Sequence, residues 1–567
     1  MKKFIIAFAA ALTGSAAYAQ SAIDAYRLSQ PDMKGTARYM GMAGAFGALG
    51  GDLSVLSHNP GGIGVYRSSD IGFTLDLDLQ SSESNSQGYK IGVDQTKFLL
   101  NNIGFVWTLK LGSNTCPNIN IGFTYNKNAS FNRRYRGAIG LNNSLSNYIA
   151  AVTTQENYEE GQLIGDKYNN WDPYNPTDPN DAASWLSILG YNSYLTSIGG
   201  YDKAGNPYYV GQWGSETRGT GYFDVIESGG IDSYNIALGG NISNLVYWGM
   251  DFDITHINYK LTPQWTENLE KAIVGDDTGV LWEMPSYWSL NNYYNCYGTG
   301  FNYKLGFIVK PIPEFRIGFA FETPTWYSLT ESFIGNVNAD YLNQPVETND
   351  GYLGYNDVSF RTPWKINASA AAVLFNRLIL SAEYEWTQYK GMKYSSPSYY
   401  GGDYWDDDYY PWDPWYSKSA TRAFDPYIGN DPYYYTNQDV KEYYRNTNTL
   451  RLGAELNVIP QLFVRAGYAF VSSPVQSKAK DATIYTAGTI PNYRFDNTTN
   501  YATLGLGFRI QHFYIDLAYV YKHMSSEYHA FSPFYPEPGS DIKYVPSQKS
   551  SLSLNNSQIV LSAGFRF

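Results

Sequence analysis

The chain of 567 residues has a formal net charge of −12, with 17% aromatic and 16% charged residues. This negative excess argues against nucleic-acid binding, because few cations are left to neutralise phosphates. The mean hydropathy of −0.37 and the lack of a long apolar stretch after the N-terminus exclude a bundle of membrane-spanning helices. A large soluble β protein and a transmembrane β-barrel remain, because barrel strands alternate apolar and polar residues and keep the average hydropathy low.

The first residues read as an export signal. Lys2 and Lys3 make a basic start, and residues 4–12 form an apolar run too short to span a bilayer. Residues 17–19 read Ala-Tyr-Ala, which fits a signal-peptidase site. We therefore expect residues 1–19 to be removed. Without a cysteine near that point, the mature chain would have no N-terminal lipid anchor.

A run of small residues follows, "GAFGALGGDLSVLSHNPGGIGVY" at positions 44–66. Its glycines could suggest a dinucleotide-binding loop, which requires a buried strand directly before the glycines and a helix after them. Residues 34–40 do not read as such a strand. The run therefore needs another explanation, which depends on the segments that come after it.

Alternating segments begin at Asp70. In "DIGFTLDLDLQ", the apolar residues Ile71, Phe73 and Leu75 share one face, and Asp76 and Asp78 share the other. Similar segments recur, each about as long as a tilted strand needs to cross a bilayer. The count is about fourteen, an even number as in closed bacterial barrels. The segments begin near Asp70, Ile103, Ile119, Tyr234, Trp248, Tyr297, Phe315, Trp364, Leu378, Leu450, Leu462, Ala502, Phe513 and Ile559.

The connections between these segments favour the barrel over a soluble sandwich. Tight turns are predicted at residues 311–313, 376–377 and 460–461. Long loops are expected at residues 138–230, 262–292, 330–361, 391–446, 472–500 and 524–555. Short turns on one side and long loops on the other are typical of outer-membrane barrels.

Several stretches resemble one known family. The pieces "GTAR" at 35–38, "GMAGA" at 41–45, "DLS" at 52–54 and Asn59-Pro60 resemble the N-terminal hatch of the FadL/TodX family of outer-membrane transport proteins. The stretches "GTGFNYKLGFIVKPIPEFRIGFAFETP", "LRLGAELNVIPQLFVRAGYAFVSSPV" and "ATLGLGFRIQHFYIDLAYVYKH" are similar to the strands of that family. The resemblance runs from about Gly35 to Phe567 and fails in the long loops. Gly61 departs mildly, since a small residue such as alanine is common there.

The resemblance and the physics of a barrel agree on the glycine-rich run. A lumen enclosed by about fourteen strands is too wide for side chains to fill, so it needs a plug, and small residues permit tight turns in little volume. We predict an all-β fold: a signal at 1–19, a hatch at 20–67, and a transmembrane antiparallel β-barrel at 68–567, with both mature termini periplasmic. The predicted hatch residues are Gly35, Gly41, Gly44, Gly47, Gly50, Asp52, Asn59 and Pro60.

Polar residues on the inner faces of the strands are predicted to point into the lumen. They should mostly pair with one another and stiffen a wet interior, rather than contact substrate. His58 could ligate haem iron, but a lone histidine in a turn is more often a hydrogen-bonding residue, so we expect neither a metal nor another cofactor. The predicted lumen-facing residues are Asp76, Asp78, Lys110, Arg451, Glu455, Arg465 and Arg566.

The family resemblance implies an outer-membrane channel for hydrophobic small molecules, such as long-chain fatty acids or aromatic compounds, and no enzyme activity. Outer-membrane lipid and a hydrophobic ligand held in an apolar pocket are the expected partners. The alternative is a non-transporting subunit that docks proteins through the aromatic loop at residues 394–416, whose rings suit a contact surface. The loop residues singled out for that role are Tyr404, Trp405, Trp412 and Trp415.

The two cysteines leave two readings open. Cys116 and Cys296 could form a disulfide in an oxidising compartment, or both could remain free.

Overall fold

The computed structural model describes residues 21–30, 32–165, 171–176, 181–275, 280–396, 433–486, 488–536, 538, 540 and 542–567. The predicted signal at 1–19 and the loop residues Tyr404, Trp405, Trp412 and Trp415 lie outside these described residues. Among the helices described, none is both long and apolar enough to cross a membrane.

Strands dominate the described chain. In chain order they are β1 (Asp70–Ser86), β2 (Tyr89–Lys110), β3 (Asn118–Ser130), β4 (Arg133–Gly140), β5 (Thr196–Tyr201), β6 (Pro207–Gly211), β7 (Arg218–Ile242), β8 (Val246–Gly275), β9 (Leu281–Ile312), β10 (Phe315–Glu322), β11 (Trp326–Ala339), β12 (Val346–Glu347), β13 (Gly354–Arg361), β14 (Lys365–Leu374), β15 (Leu378–Thr387), β16 (Lys393–Ser395), β17 (Thr447–Ile459), β18 (Leu462–Val471), β19 (Tyr493–Ile510), β20 (Phe513–His529) and β21 (Lys549–Arg566). The helices are α1 (Ala22–Ser29), α2 (Ala37–Gly41), α3 (Leu145–Gln155), α4 (Glu160–Leu163), α5 (Trp185–Asn192) and α6 (Tyr434–Tyr443).

Fourteen of these strands form a closed antiparallel barrel. The order around the wall is β1, β2, β3, β7, β8, β9, β10, β14, β15, β17, β18, β19, β20 and β21. The last strand closes on the first, with Asp70 opposite Arg566 and Leu77 opposite Ile559. The predicted fold class, a barrel of about fourteen strands with an N-terminal hatch, is confirmed.

The alternation sorts residues between the outside and the inside of the wall. Ile71 and Phe73 are exposed on the outer surface, and Leu77 and Phe105 share that outward face. Asp76 and Asp78 are buried on the inner face. The outer face therefore presents an apolar belt to lipid, as the period of two requires.

One end of the barrel has short connections. Residues 243–245 join β7 to β8, residues 460–461 join β17 to β18, and residues 511–512 join β19 to β20. The C-terminus lies at the same end, where the amide of Phe567 donates to the Ser69 carbonyl over 3.0 Å. This end is periplasmic by the usual asymmetry of such barrels.

At the opposite end, several predicted loops are folded structure. Residues 262–292 continue β8 and β9 as strands, apart from the undescribed residues 276–279, and residues 330–361 contain β11 and β13. Inward positions such as Trp265 and Leu290 stay buried there, because the strands rise around a second core. We call this region the lid: the aromatic core shared by α1, α3, α5, α6 and the upper parts of β7–β9, β11, β13, β19 and β20.

The N-terminus does not lie at the periplasmic end as predicted. Ser21 is at the lid, where its carbonyl accepts a hydrogen bond of 3.5 Å from the Tyr394 hydroxyl, and every residue of α1 is buried. Tyr26 of α1 stacks on Tyr444, with ring centroids 5.0 Å apart, and packs edge-on against Tyr389. The prediction failed because these apolar residues are buried better in the aromatic lid than at the open rim.

The two cysteines are free. Cys116 lies half-buried in the turn between β2 and β3, and Cys296 is buried in β9. The reading with two free thiols is therefore the one that the structure supports.

Candidate functional site: the lumen and its hatch

The N-terminal segment runs the length of the lumen. From α1 in the lid it descends to Tyr66 at the periplasmic end, through α2 and two 3₁₀ turns, Leu53–Ser57 and Pro60–Val65. The predicted hatch at 20–67 included α1, which packs in the lid, so we now use the name hatch for residues 32–67 alone. Among the described residues, only one backbone hydrogen bond joins the hatch to the wall, from the Asp32 amide to the Asn128 carbonyl over 3.1 Å. The hatch is therefore held mainly by side chains and by packing.

Small polar residues fold the first half of the hatch. The Thr36 hydroxyl donates to Asp52 Oδ1 over 2.8 Å, and the same carboxylate oxygen accepts from the Ser54 amide. The Thr36 amide in turn donates to the Ser54 hydroxyl over 2.6 Å. Gly35 has to be a glycine here, because a Cβ would lie 2.5 Å from Ser54 Oγ. Asp52 thus acts as an internal brace of the hatch.

The second half turns on Asn59 and Pro60. Asn59 Oδ1 caps the following 3₁₀ turn through the Gly61 amide, and Asn59 Nδ2 donates to the Gly47 carbonyl over 2.6 Å. Gly44 and Gly50 have φ angles of +76° and +67°, a region that favours glycine. These contacts fold the chain back on itself within a narrow space.

The hatch backbone packs directly on glycines of the wall. A Cβ on Gly249 of β8 would lie 2.0 Å from the Pro60 carbonyl oxygen, and one on Gly306 of β9 would lie 1.9 Å from Asn59 Oδ1. Further inward glycines that meet the hatch are Gly318 against Gly47, Gly453 and Gly467 against Met42, and Gly505 against Gly41. Sequence reasoning missed these wall glycines, although they could be found as glycines on inward positions of successive strands.

Lys34 fixes the upper part of the hatch to β1. Its Nζ lies 2.6 Å from Asp76 Oδ2, 3.3 Å from Asp78 Oδ2 and 2.8 Å from Gln558 Oε1. Burial lowers the pKa of Lys34, but the carboxylates of Asp76, Asp32 and Asp78 raise it more, so the net shift is upward and the ammonium stays charged. Asp76 and Asp78 thus bind the hatch through Lys34.

A four-residue ion network lies beside α2. Arg38 makes a bidentate pair with Glu455, with both nitrogen–oxygen distances at 3.0 Å. Arg465 bonds Glu455 over 2.6 Å and Asp516 over 2.5 Å. Arg465, Glu455 and Asp516 are buried, and the half-buried Arg38 joins them from the hatch, so two cations and two carboxylates lie together.

A second network surrounds His58. Its Nε2 lies 2.6 Å from Glu383 Oε1, and the Gly47 amide donates to the other oxygen of Glu383 over 2.8 Å. Arg451 bonds Glu383 over 2.8 Å and Glu385 over 3.1 Å. The ligand atoms of His58, Glu383 and Glu385 lie within 4.8 Å of one another, which would suit a metal ion. The Arg451 guanidinium already takes the place of a cation there, so we assign the cluster as an ion network.

The remaining predicted lumen residues lie at the periplasmic end. Arg566 bonds Asp70 over 3.0 Å and the Gly51 carbonyl over 3.1 Å, so it also contacts the hatch. Lys110 occupies an inward position of β2 but is exposed at the rim, away from these networks.

A cavity of about 200 Å³ lies between the hatch and the lid. Leu28 and Tyr26 at the end of α1 form part of its upper boundary, and His58 and Tyr39 form part of its lower boundary. Its wall carries a belt of threonines and charged side chains from several strands: Thr255, Thr325, Thr362, Thr387, Thr447, Thr449, Thr499, Lys304, Glu322, Lys365, Glu385, Arg451 and Lys522. The continuous apolar pocket expected from the sequence is therefore not what borders the hatch.

The wall beside this cavity is discontinuous. Pairing between β2 and β3 stops at Asn102 and Asn126, and β4 continues the edge by pairing with β7 alone. Ser82 and Ser84 of β1 donate to backbone carbonyls of β4 over 2.6 and 2.8 Å. Only side chains, not a strand ladder, join this part of the wall.

A closed fourteen-stranded barrel whose lumen is filled by its own N-terminal segment defines the class of plugged outer-membrane barrels. The chain belongs to the outer membrane protein transport protein family (OMPP1/FadL/TodX), whose family model matches residues 249–530. The resemblance inferred from the sequence is confirmed, and the family implies a location in the outer membrane.

The chain is similar to several solved structures, of which the first supports the same fold. A Pseudomonas aeruginosa FadL homologue superposes with a TM-score of 0.50 and 13% identity, covering 95% of this chain and 99% of that one. The Pseudomonas putida toluene transporter TodX gives a TM-score of 0.46 at 10% identity, with 94% and 99% coverage. The Ralstonia pickettii toluene transporter TbuX gives 0.44 at 13%, with the same coverage. No curated protein sequence matches the chain.

Proposed function

We propose that this protein is an outer-membrane channel for small hydrophobic or amphipathic molecules. The observation that carries the proposal is the cavity of about 200 Å³, which one segment of the chain bounds on two sides. Helix α1 bounds it toward the lid, and the hatch bounds it toward the periplasm. A compartment with two closures is what a channel needs to pass a molecule without leaving an open pore.

The contacts of the hatch with the wall would allow the hatch to move within the lumen. In the described part of the chain the hatch has one backbone hydrogen bond to the wall, so it can shift while the strand ladders stay intact. The cavity also lines up with the discontinuity between β2 and β4, since Asn128 at the top of β3 lines it. Displacing the hatch would open a periplasmic route, and parting β4 from β1 would open a lateral one.

The lining of the cavity indicates that the transported molecule is small and has apolar surface. Leu28, Met33, Tyr389 and Met524 supply that surface in the cavity. Long-chain fatty acids remain a prediction made from the family resemblance. The docking alternative rested on the loop at 394–416, of which only residues 394–396 are described, and no contact of the described residues favours it.

The test is a deletion of residues 41–56. The barrel should still insert and show heat-modifiable migration, because strand pairing does not involve the hatch. Its conductance in planar bilayers should rise by about tenfold or more, since a barrel of this width is open once unplugged. Deletion of residues 202–206, the turn between β5 and β6, is the matched control and should leave the conductance unchanged.

Uptake completes the test. Cells carrying the wild-type protein should take up a labelled amphiphile faster than cells without it, and cells with the deletion should differ from both. Equal uptake in all three, together with an unchanged conductance after the deletion, would refute a transport function.

A further inference from the structure

Every lysine and arginine among the described residues that line the cavity is already paired with a carboxylate. Arg451 serves as the example: its guanidinium lies between Glu383 and Glu385. The other pairs are Lys34 with Asp76 and Asp78, Lys304 with Asp251 and Asp253, Lys365 with Glu322, and Lys522 with Asp32. An incoming anion would therefore have to displace a carboxylate of the protein from its partner.

The formal charges of these groups are unequal. The five cations face eight carboxylates, and His58 can add at most one further positive charge. Low-dielectric surroundings strengthen repulsion between like charges. Three of these carboxylates line the cavity and five lie behind the lining, so a free carboxylate would meet surroundings with a formal negative excess and, among the described lining residues, no unpaired cation to receive it.

Asn302 and Ser29 are among the buried residues of the cavity wall whose side-chain oxygens lack partners within the described protein. Asn302 Nδ2 donates to Thr325 over 2.8 Å, but Asn302 Oδ1 accepts no hydrogen bond, and Ser29 Oγ has none either. Both residues are at least nine-tenths buried and line the cavity. An amide oxygen can only accept, so it calls for a donor such as a hydroxyl, which a carboxylate does not have.

We propose that the cavity admits amphiphiles whose head group donates hydrogen bonds and carries no negative charge, and that it discriminates against free carboxylates. The apolar tail would lie along Leu28, Met33 and Met524, and the head group would reach Asn302 and Ser29. This inference rests on the proposed transport function and narrows its cargo.

The experiment compares two probes with the same acyl chain, monodecanoylglycerol and decanoate. Binding to the full protein in zwitterionic lipid nanodiscs is measured by calorimetry, with empty nanodiscs subtracted. The wild type should bind monodecanoylglycerol at least tenfold more tightly than decanoate. Glu322→Gln and Asp32→Asn each release one lysine from its carboxylate, so each should narrow this ratio at least threefold by strengthening decanoate binding.

A matched control separates the cavity from general charge effects. Glu442→Gln removes a carboxylate from an exposed ion pair with Lys478 and should leave the ratio unchanged. Replacing Asn302 by Leu should weaken the binding of monodecanoylglycerol and leave the binding of decanoate unchanged.

Two results would overturn the inference without touching the transport proposal. One is decanoate binding to the wild type as tightly as the neutral probe, and the other is a ratio that neither Glu322→Gln nor Asp32→Asn changes. If neither probe binds and the deletion of 41–56 leaves conductance unchanged, both the inference and the transport function are wrong.

Discussion

The wall and the hatch of this barrel are stabilised in opposite ways. The wall is held by ladders of antiparallel strands, with one break beside β4 in the described chain, and β8 and β9 alone run for 30 and 32 residues. The hatch forms one backbone hydrogen bond to that wall and depends on ion networks and close contacts with glycines. Two parts of one chain therefore meet without sharing a sheet.

Because of this difference, the stability of the wall and the docking of the hatch should respond independently to substitutions. Breaking the wall requires the loss of many hydrogen bonds in an apolar medium, where each unsatisfied group costs several kcal/mol. Releasing the hatch requires only that a few side-chain contacts part, and these can be exchanged for water in the lumen. Substitutions should therefore damage one part and spare the other.

The largest effect is expected at the ion network beside α2. Glu455→Gln leaves Arg38 and Arg465 with Asp516 as the one remaining carboxylate of the network, which should cost about 3–5 kcal/mol of hatch docking because a buried charge loses its partner. The measurement is protease sensitivity of the hatch in nanodiscs, together with conductance.

The matched control for Glu455→Gln is Asp516→Asn. It removes a carboxylate of the same network that contacts only Arg465 among the ion pairs of the described residues, so Arg38 keeps its bidentate partner. The hatch should stay protected in this variant. If both variants expose the hatch equally, the contact of Arg38 with Glu455 is not what holds it.

The next largest effect is expected on the wall. Leu77→Arg places a charge in the apolar belt and should lower the free energy of unfolding by about 2–4 kcal/mol. Ser81→Arg, on the same face of β1 but beyond the belt, should change it far less. Urea midpoints in lipid measure both, and equal losses would show that the belt is placed wrongly.

A charged substitution on the inner face of β1 should be less well tolerated than the alternation of the strand suggests. A wet lumen would tolerate Arg at Asp76, but Asp76 is fully buried against Lys34. An Arg at position 76 would lie next to the Lys34 ammonium. The repulsion between the two cations should release the hatch from β1.

The sequence predicts features that depend on neighbouring residues, and it does not predict contacts between residues that are far apart in the chain. A period of two assigns Leu77 outward and Asp76 inward, because neighbouring residues on one strand determine it. The partner of Asp76, Lys34, lies 42 residues away in a segment without regular structure, and Arg38 pairs with Glu455 across 417 residues. No local pattern encodes such pairs.

The lid escaped prediction for a related reason. Residues 262–292 alternate as the membrane strands do, but many of their outward positions are polar, so their sequence is typical of a loop. Only the packing of Trp265, Trp288 and Leu290 in the shared core shows that the strands continue. The N-terminal helix was missed in the same way, since its burial depends on lid residues far along the chain.

A smaller effect is expected at the contact between hatch and wall. Gly249→Ala adds a methyl group 2.0 Å from the Pro60 carbonyl oxygen, and relieving this overlap should cost about 1–3 kcal/mol. We expect higher conductance with an unchanged urea midpoint of the wall. Gly92→Ala in β2, where the nearest atom would be 3.7 Å away, is the control and should remain closed. Equal conductance of the Gly249→Ala and Gly92→Ala variants would contradict the packing described for the hatch.

The central claim is that the hatch is a unit that opens separately from the wall. Hydrogen–deuterium exchange of the protein in nanodiscs tests it most directly, because local opening appears as faster amide exchange. We predict that peptides covering residues 41–65 exchange well before those of β8 and β20, and that Glu455→Gln accelerates the hatch alone. A single slow rate shared by hatch and strands, in both the wild type and this variant, would contradict the account.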